Sequence, residues 1–314
     1  MKVGLALLLL AGGCTLVAAG AAASGLAARE AVSRGPGQGN GHSKSCSEAA
    51  QVGARARALA YVVSARGHSA SGEYDQAIAD ESHAIELAPN FPEAYHARAF
   101  DRAYRRDLKG GRGDLAHAIE LAPQVACFYQ ELGSFDNLLK NHDQALADFD
   151  QAIRLAPQFN VAMDAKAKTL FNLGRYDEAA AEFREVIRLT PGDYYPVLWL
   201  HIARMRAHED DAEEYRAGKA SLDMSQWPAR IFDLFEGKVS APAMRKAADA
   251  QSDEGECEGA VFAGQYYLTK GDVQSAMPMV QEAASVCGSS ELRRLTSWAE
   301  LERLDPSAHD AGDW

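Results

Sequence analysis

Three stretches of this sequence hold residue types that could do chemistry. His208-Glu209-Asp210-Asp211 begins as a zinc-protease motif begins, where two histidines on one helical face hold the metal and a glutamate between them acts as base. Position 212 is Ala, so the second ligand is missing and the stretch reads as a solvated turn. Gly110-Gly111-Arg112-Gly113-Asp114 is glycine-rich in the manner of a phosphate loop, but no Gly-Lys-Ser/Thr follows. Its Arg-Gly-Asp reads as the start of a helix. The third set is the cysteines, Cys14, Cys46, Cys127, Cys257 and Cys287, none of them in a CxxC pair or a His/Cys cluster. A metal site or a redox dithiol has nothing to rest on. Scattered carboxylates at this density are the exposed faces of helices. No enzyme activity, metal or cofactor is expected.

Bulk charge narrows the partners. With 44 acidic residues against 32 basic ones, the formal net charge is -12, the wrong sign for nucleic acid or an anionic membrane surface. Membrane association is expected only through the N-terminus. There Lys2 precedes an uncharged run from Val3 to Leu10 and small residues through Ala23, which reads as an export signal. Three readings of residues 1–23 stand open. Cleavage after Ala23 would use Ala21 and Ala23 as the small residues the peptidase needs. Leu10-Ala11-Gly12-Gly13-Cys14 is an imperfect lipobox that would lipidate Cys14, and Val3 to Ala28 is uncharged and long enough to serve as an uncleaved anchor. All three place the rest of the chain outside the cytoplasm, in the periplasm, and lipidation would tether it to the outer membrane. Residues 24–46, with Gly35-Pro36-Gly37-Gln38-Gly39-Asn40-Gly41, read as a flexible linker.

The elements that follow are set by a repeat. Ala84-Ile-Glu-Leu-Ala-Pro89 recurs as Ala118-Ile-Glu-Leu-Ala-Pro123, Ala152-Ile-Arg-Leu-Ala-Pro157 and Val186-Ile-Arg-Leu-Thr-Pro191, the prolines 34 residues apart. A constant step of that size is what stacked helix-turn-helix units produce. Each unit has a first helix, A, and a second helix, B, that ends at the proline, which cannot continue a helix and biases the residue before it out of one.

The residues resemble the tetratricopeptide repeat (TPR) family, whose consensus wants small residues where A and B cross, an aromatic early in B, a large apolar residue within B and a proline after it. The third unit matches with Tyr129, Leu132-Gly133, Ala145, Phe149, Ala152 and Pro157, and the fourth with Gly174, Tyr176, Ala179, Phe183 and Pro191. The first offers Tyr61, Ala65, Gly72, Tyr74, Ala77, Ala84 and Pro89, but Glu81 stands where a large apolar residue is wanted. The second has Tyr95, Ala99, Leu115 and Ala118, yet Gly110, Gly111 and Gly113 fall in its B helix and predict a short or late one, each costing about 1 kcal/mol against alanine.

The fold class this implies is all-α, a TPR helix-turn-helix solenoid with capping helices. Residues 47–193 are four units; 194–256 hold a degenerate fifth repeat, with Leu198-Trp199-Leu200, and irregular helices around Trp227-Pro228. Residues 257–304 form a final hairpin, in which Pro278 is expected to kink or delay helix B, and a last helix from Glu291 to Leu304 that caps the stack. Residues 305–314 are a tail. In that register Cys257 opens helix A and Cys287 closes helix B, so the hairpin brings them within bridging distance; the alternative is two separate buried thiols. A Cys46–Cys127 pair is a weaker expectation.

This order of elements resembles the NlpI-type TPR proteins of Gram-negative envelopes over about Glu48 to Leu304. The resemblance implies an exported scaffold that binds envelope proteins, for example a protease or peptidoglycan hydrolase, through a concave groove lined by the A helices. It also makes a homodimer an expectation. Carried over by position, the groove is Arg66, His96, Phe100, Tyr104, Gln130, Ser134, Asn137, Asp164, Lys168, Phe171, Asn172 and Arg206. The carboxylate clamp of chaperone-binding TPRs is not reproduced, since Val62 and Arg66 occupy two of its positions. The alternative is a structural or assembly factor of the envelope without groove-mediated peptide binding.

Overall fold

The computed structural model describes residues 41–225, 227–251, 255–287 and 291–306, with the side chains of 41–50 and 291–294 excepted. The three readings of the N-terminal segment and the fate of Cys14 lie outside them, as does most of the tail. The described residues form fifteen α-helices and no strand. None of these helices is long and apolar enough to cross a membrane.

The chain divides into two compact units, with the boundary between Phe128 and Tyr129. In the first, α1 (Gly41–Ala70) pairs with α2 (Tyr74–Leu87), and α3 (Pro92–Tyr104) with α4 (Leu108–Leu121). Ala58, Val62, Ala84, Ala88, Phe91 and Ala94 make its apolar centre. Helix α1 starts at Gly41, so the last six residues of the stretch read as linker are helical. Helix α4 is a full fourteen residues in spite of its glycines. Asp107 caps it by accepting from the Gly110 amide at 2.9 Å, and a Cβ at Gly110 would strike that carboxylate, so here the glycine makes the cap fit.

The second unit continues with α5 (Ala126–Leu138), which straddles the boundary, α6 (His142–Leu155), α7 (Asn160–Asn172), α8 (Tyr176–Leu189) and α9 (Tyr194–Arg206). Then come α10 (Ala212–Lys219), α11 (Ala229–Phe235), α12 (Ala241–Asp249), the hairpin α13 (Gly255–Thr269) and α14 (Val273–Val286), and α15 (Glu291–Leu304). Within each pair the helices touch at small residues: a Cβ on Gly133 would lie 2.8 Å from the Phe149 ring and 3.0 Å from the Ala145 carbonyl. Every consensus proline acts as expected. Ala88, Ala122, Ala156 and Thr190 end their helices with ψ between 63° and 88°, out of the helical region, as a following proline favours.

The degenerate fifth repeat is completed from elsewhere. Helix α10 is short and buries none of its residues, whereas α11 buries Ile231, Phe232, Leu234 and Phe235 in one core with Leu198, Trp199, Ile202 and Phe262. Helix α14 starts on time at Val273 and runs through Pro278. The last helix does more than cover an end: α15 packs on α14 and α13 and also reaches α7, three hairpins back.

Cys257 and Cys287 form a disulfide with their Cα atoms 4.9 Å apart, both side chains buried. Cys127 is disulfide-bonded as well, with a partner outside the described side chains, where the proposed pairing with Cys46 also lies. Replacing Cys257 and Cys287 together by serine is expected to remove about 3.7 kcal/mol in the chain-entropy treatment of a loop this long. Denaturant unfolding of the oxidised protein, followed by hydrogen exchange in α13 and α14, measures the loss; an unchanged midpoint would refute it.

Candidate functional site

In the second unit the A helices α7, α9 and α13 present one face to α15. Arg206, near the end of α9, donates from Nη1 to Glu300 Oε1 at 2.8 Å and to Gln265 Oε1 at 3.2 Å. Its Nη2 donates to the Tyr176 hydroxyl at 2.6 Å, with the guanidinium over the Tyr176 ring. Gln265 Nε2 donates to the same Glu300 oxygen at 3.2 Å, and Arg303 adds an ion pair to Glu300 from one turn on. Arg303 also donates to the Asn172 carbonyl at 2.7 Å, at the end of α7, and Lys140 pairs with Glu302 at 2.5 Å. Glu300 is 1% exposed. A carboxylate taken that far from water is stable only with several charge-assisted donors, and here it has them.

Beside the α15 contact lies a cavity of about 310 Å³, walled by Asn160, Asp164 and Lys168 of α7, Tyr195 and Trp199 of α9, and Thr296 of α15. Lys168 Nζ donates to Asp164 at 2.5 Å across one turn, so the cavity carries charges of both signs beside two aromatic rings.

The expected groove residues therefore separate. Asp164, Lys168, Asn172 and Arg206 come together around α15 and the cavity. Gln130, Ser134, Asn137 and Phe171 are buried in packing. Asn137 Nδ2 donates to Thr169 Oγ1 at 2.6 Å, which ties one A helix to the next; Gln130 Nε2 donates to Ser134 Oγ at 3.2 Å, and Phe171 lies edge-on to Trp199 and Tyr176. In the first unit Arg66 is exposed, while His96, Phe100 and Tyr104 are half-buried. His96 packs against Phe100 and Phe128, and Tyr104 stacks on Tyr74 at 4.5 Å. Glu300, Gln265 and Thr296 were not legible as site residues: on α15 and α13 they stand among ordinary polar helix positions, and only the return of α15 onto α7 and α9 gives them a role.

The two motif-like stretches are structural. His208 sits in an exposed turn with φ 61°, and Asp211 Oδ2 accepts from His201 Nδ1 at 2.6 Å, anchoring the start of α10 to α9. The His201 ring stacks on Tyr215, whose hydroxyl is pushed up by burial and then by Glu236 and Asp211. His201, Asp211 and Tyr215 border a second cavity of about 300 Å³ with Val197 and Leu200.

Glu81 is also 1% exposed, in the first unit. Burial, reinforced by the adjacent Asp101, pushes its carboxyl up to about 10, so at neutral pH it holds a proton and donates to Asp101. Asp101 in turn accepts from Ser69 Oγ at 2.7 Å, and Asp114 is held by Arg98 and Arg102. Below about 4.5 an unfolded glutamate is protonated too and the site costs nothing; between there and about 10 only the folded state keeps the proton, so stability falls as pH rises. Glu81→Gln is expected to stabilise α1–α4 near pH 8 by up to about 5 kcal/mol, about 1.4 for each pH unit above the unfolded glutamate's value, and to do nothing near pH 4. Hydrogen exchange at the two pH values reads this out, and an equal shift at both would mean that the residue does not hold its proton.

Family models of the tetratricopeptide repeat match residues 126–159 and 161–193. The chain carries tetratricopeptide repeats. Its fold is the all-α TPR fold, and it is similar to the solved structure of a TPR protein from Parabacteroides merdae at 16% identity, over 76% of this chain and 98% of that one, with a TM-score of 0.54. It is also similar to pilF of Pseudomonas aeruginosa, at 16% identity over 82% and 95% with a TM-score of 0.49. PilW, described as a type IV pilus biogenesis factor, matches at 18% identity over 75% and 96%, again with a TM-score of 0.49. At 16% identity the likeness to the Parabacteroides merdae protein is one of fold.

Proposed function

We propose that this TPR protein is a non-enzymatic adaptor that binds other proteins through its A-helix face. The observation that carries this is Arg206: a cation on the A-helix face of the second unit that already holds a helix by a buried carboxylate, with an open cavity beside it. TPR arrays mediate protein association through such faces, because the packing code of the repeat leaves the outward A positions free to vary. The signal-like N-terminus supports export to the periplasm, and the NlpI-type resemblance supports an envelope protease or peptidoglycan hydrolase as partner and a homodimer as the assembly.

Crosslinking and capture from the native envelope tests the reading. Lys168→Glu with Phe100→Ala is expected to remove specific partners while the helical circular dichroism is unchanged; a partner set that stays the same sinks it. Phe171 is unsuited to this test, since truncating a fully buried phenylalanine costs about 3–5 kcal/mol. For the anchor, metabolic palmitate labelling is expected to vanish in Cys14→Ser, and labelling that persists would eliminate lipidation at that residue.

A further inference from the structure

We infer that α15 is a releasable occupant of the A-helix face, and that the protein partner carries an amphipathic helix that replaces it, with a glutamate in the place of Glu300 and an arginine one turn later in the place of Arg303. This rests on the adaptor reading and names the partner's chemistry at the same site.

The first support is what α15 buries. A permanent terminal cap exists to cover apolar surface. Here Thr296, Ser297 and Glu300 are buried to 4% exposure or less alongside Leu301, and the indole Nε1 of Trp298 is enclosed with no acceptor. A buried charge pair adds little net stability over an apolar contact of the same volume, and an unpaired donor works against docking. Such an interface has the composition of an exchangeable contact between domains.

The second support is the space beside it. The cavity begins at Thr296 and continues along α7 and α9 past Lys168, Tyr195 and Trp199, so a competing segment can engage the same face before α15 leaves. The third is the Cys257–Cys287 bond, which closes the α13/α14 hairpin just before α15 and keeps it closed when α15 departs. The groups on α15 then define the replacement: Glu300 on Arg206 and Gln265, and Arg303 on the Asn172 carbonyl, three residues apart on one helical face.

The test uses the full chain and a fluorescent peptide of residues 291–306. In the wild type the face is occupied, so the peptide competes with α15 and binds weakly. Glu300→Ala in the chain is expected to raise peptide affinity by about tenfold or more, with loss of hydrogen-exchange protection confined to α15. Adding Arg206→Ala is expected to abolish the gain, and a peptide with Glu300→Gln should bind the Glu300→Ala chain about tenfold more weakly than the unaltered peptide. Glu302→Ala, at the half-exposed rim, should give a smaller gain of the same sign. The inference is overturned if the Glu300→Ala chain takes up no more peptide than wild type, or if protection collapses through α7–α14, which would make α15 part of the core. A gain accompanied by a dimer in light scattering would assign the face to a second copy of this chain and overturn the partner class. Failure here leaves the adaptor reading standing on the capture result with Lys168→Glu and Phe100→Ala.

Discussion

Two helices can run side by side at backbone contact only where neither brings a side chain to the crossing. At Gly133 the limit is visible, since one methyl group would lie inside the Phe149 ring's contact distance and against the Ala145 carbonyl. Alanines at 77, 84, 99, 118 and 179, all without exposed surface, do the same work in the other pairs. Close crossing lets the aromatic residue of helix B reach across, and it sets a spacing that the next unit must match. The proline that ends each helix B converts that spacing into a fixed step. Loss of contact at one crossing would be felt as a cavity, because the ring that fills it has nowhere to relax.

Charge enters this apolar scheme at two places, with different outcomes. In the first unit Glu81 takes a position the repeat reserves for a large apolar residue, and it is accommodated by keeping its proton. In the second, Glu300 has three donors around it. One site removes the charge and the other surrounds it, which are the two ways a carboxyl group can be kept from water.

Much of the fold could be read from the sequence because it is local. Helix ends follow from Pro89, Pro123, Pro157 and Pro191, and the Cys257–Cys287 bond from the length of a hairpin. Where reading fell short, a neighbour decided. The cap on Asp107 rescued a glycine-rich helix, and α11 replaced the packing that α10 does not supply. The groove was legible as positions but not as states, for Gln130 and Asn137 turn inward and Arg206 is occupied. A pattern that says which face of a helix looks toward the groove carries no record of a segment ninety-four residues away returning to lie in it.

That return changes how the second unit holds together. In an open array each repeat leans only on the next, so stability is a sum of neighbour terms and the ends fray independently. Lys140 and Glu302 are joined across 162 residues, and Arg206 and Glu300 across 94, which links the third repeat and the fifth to the end of the chain. With α15 docked, these repeats melt together as a ring of contacts; with α15 away, the same repeats become a row of separately yielding springs. Occupancy of one face therefore sets the stiffness of the structure around it.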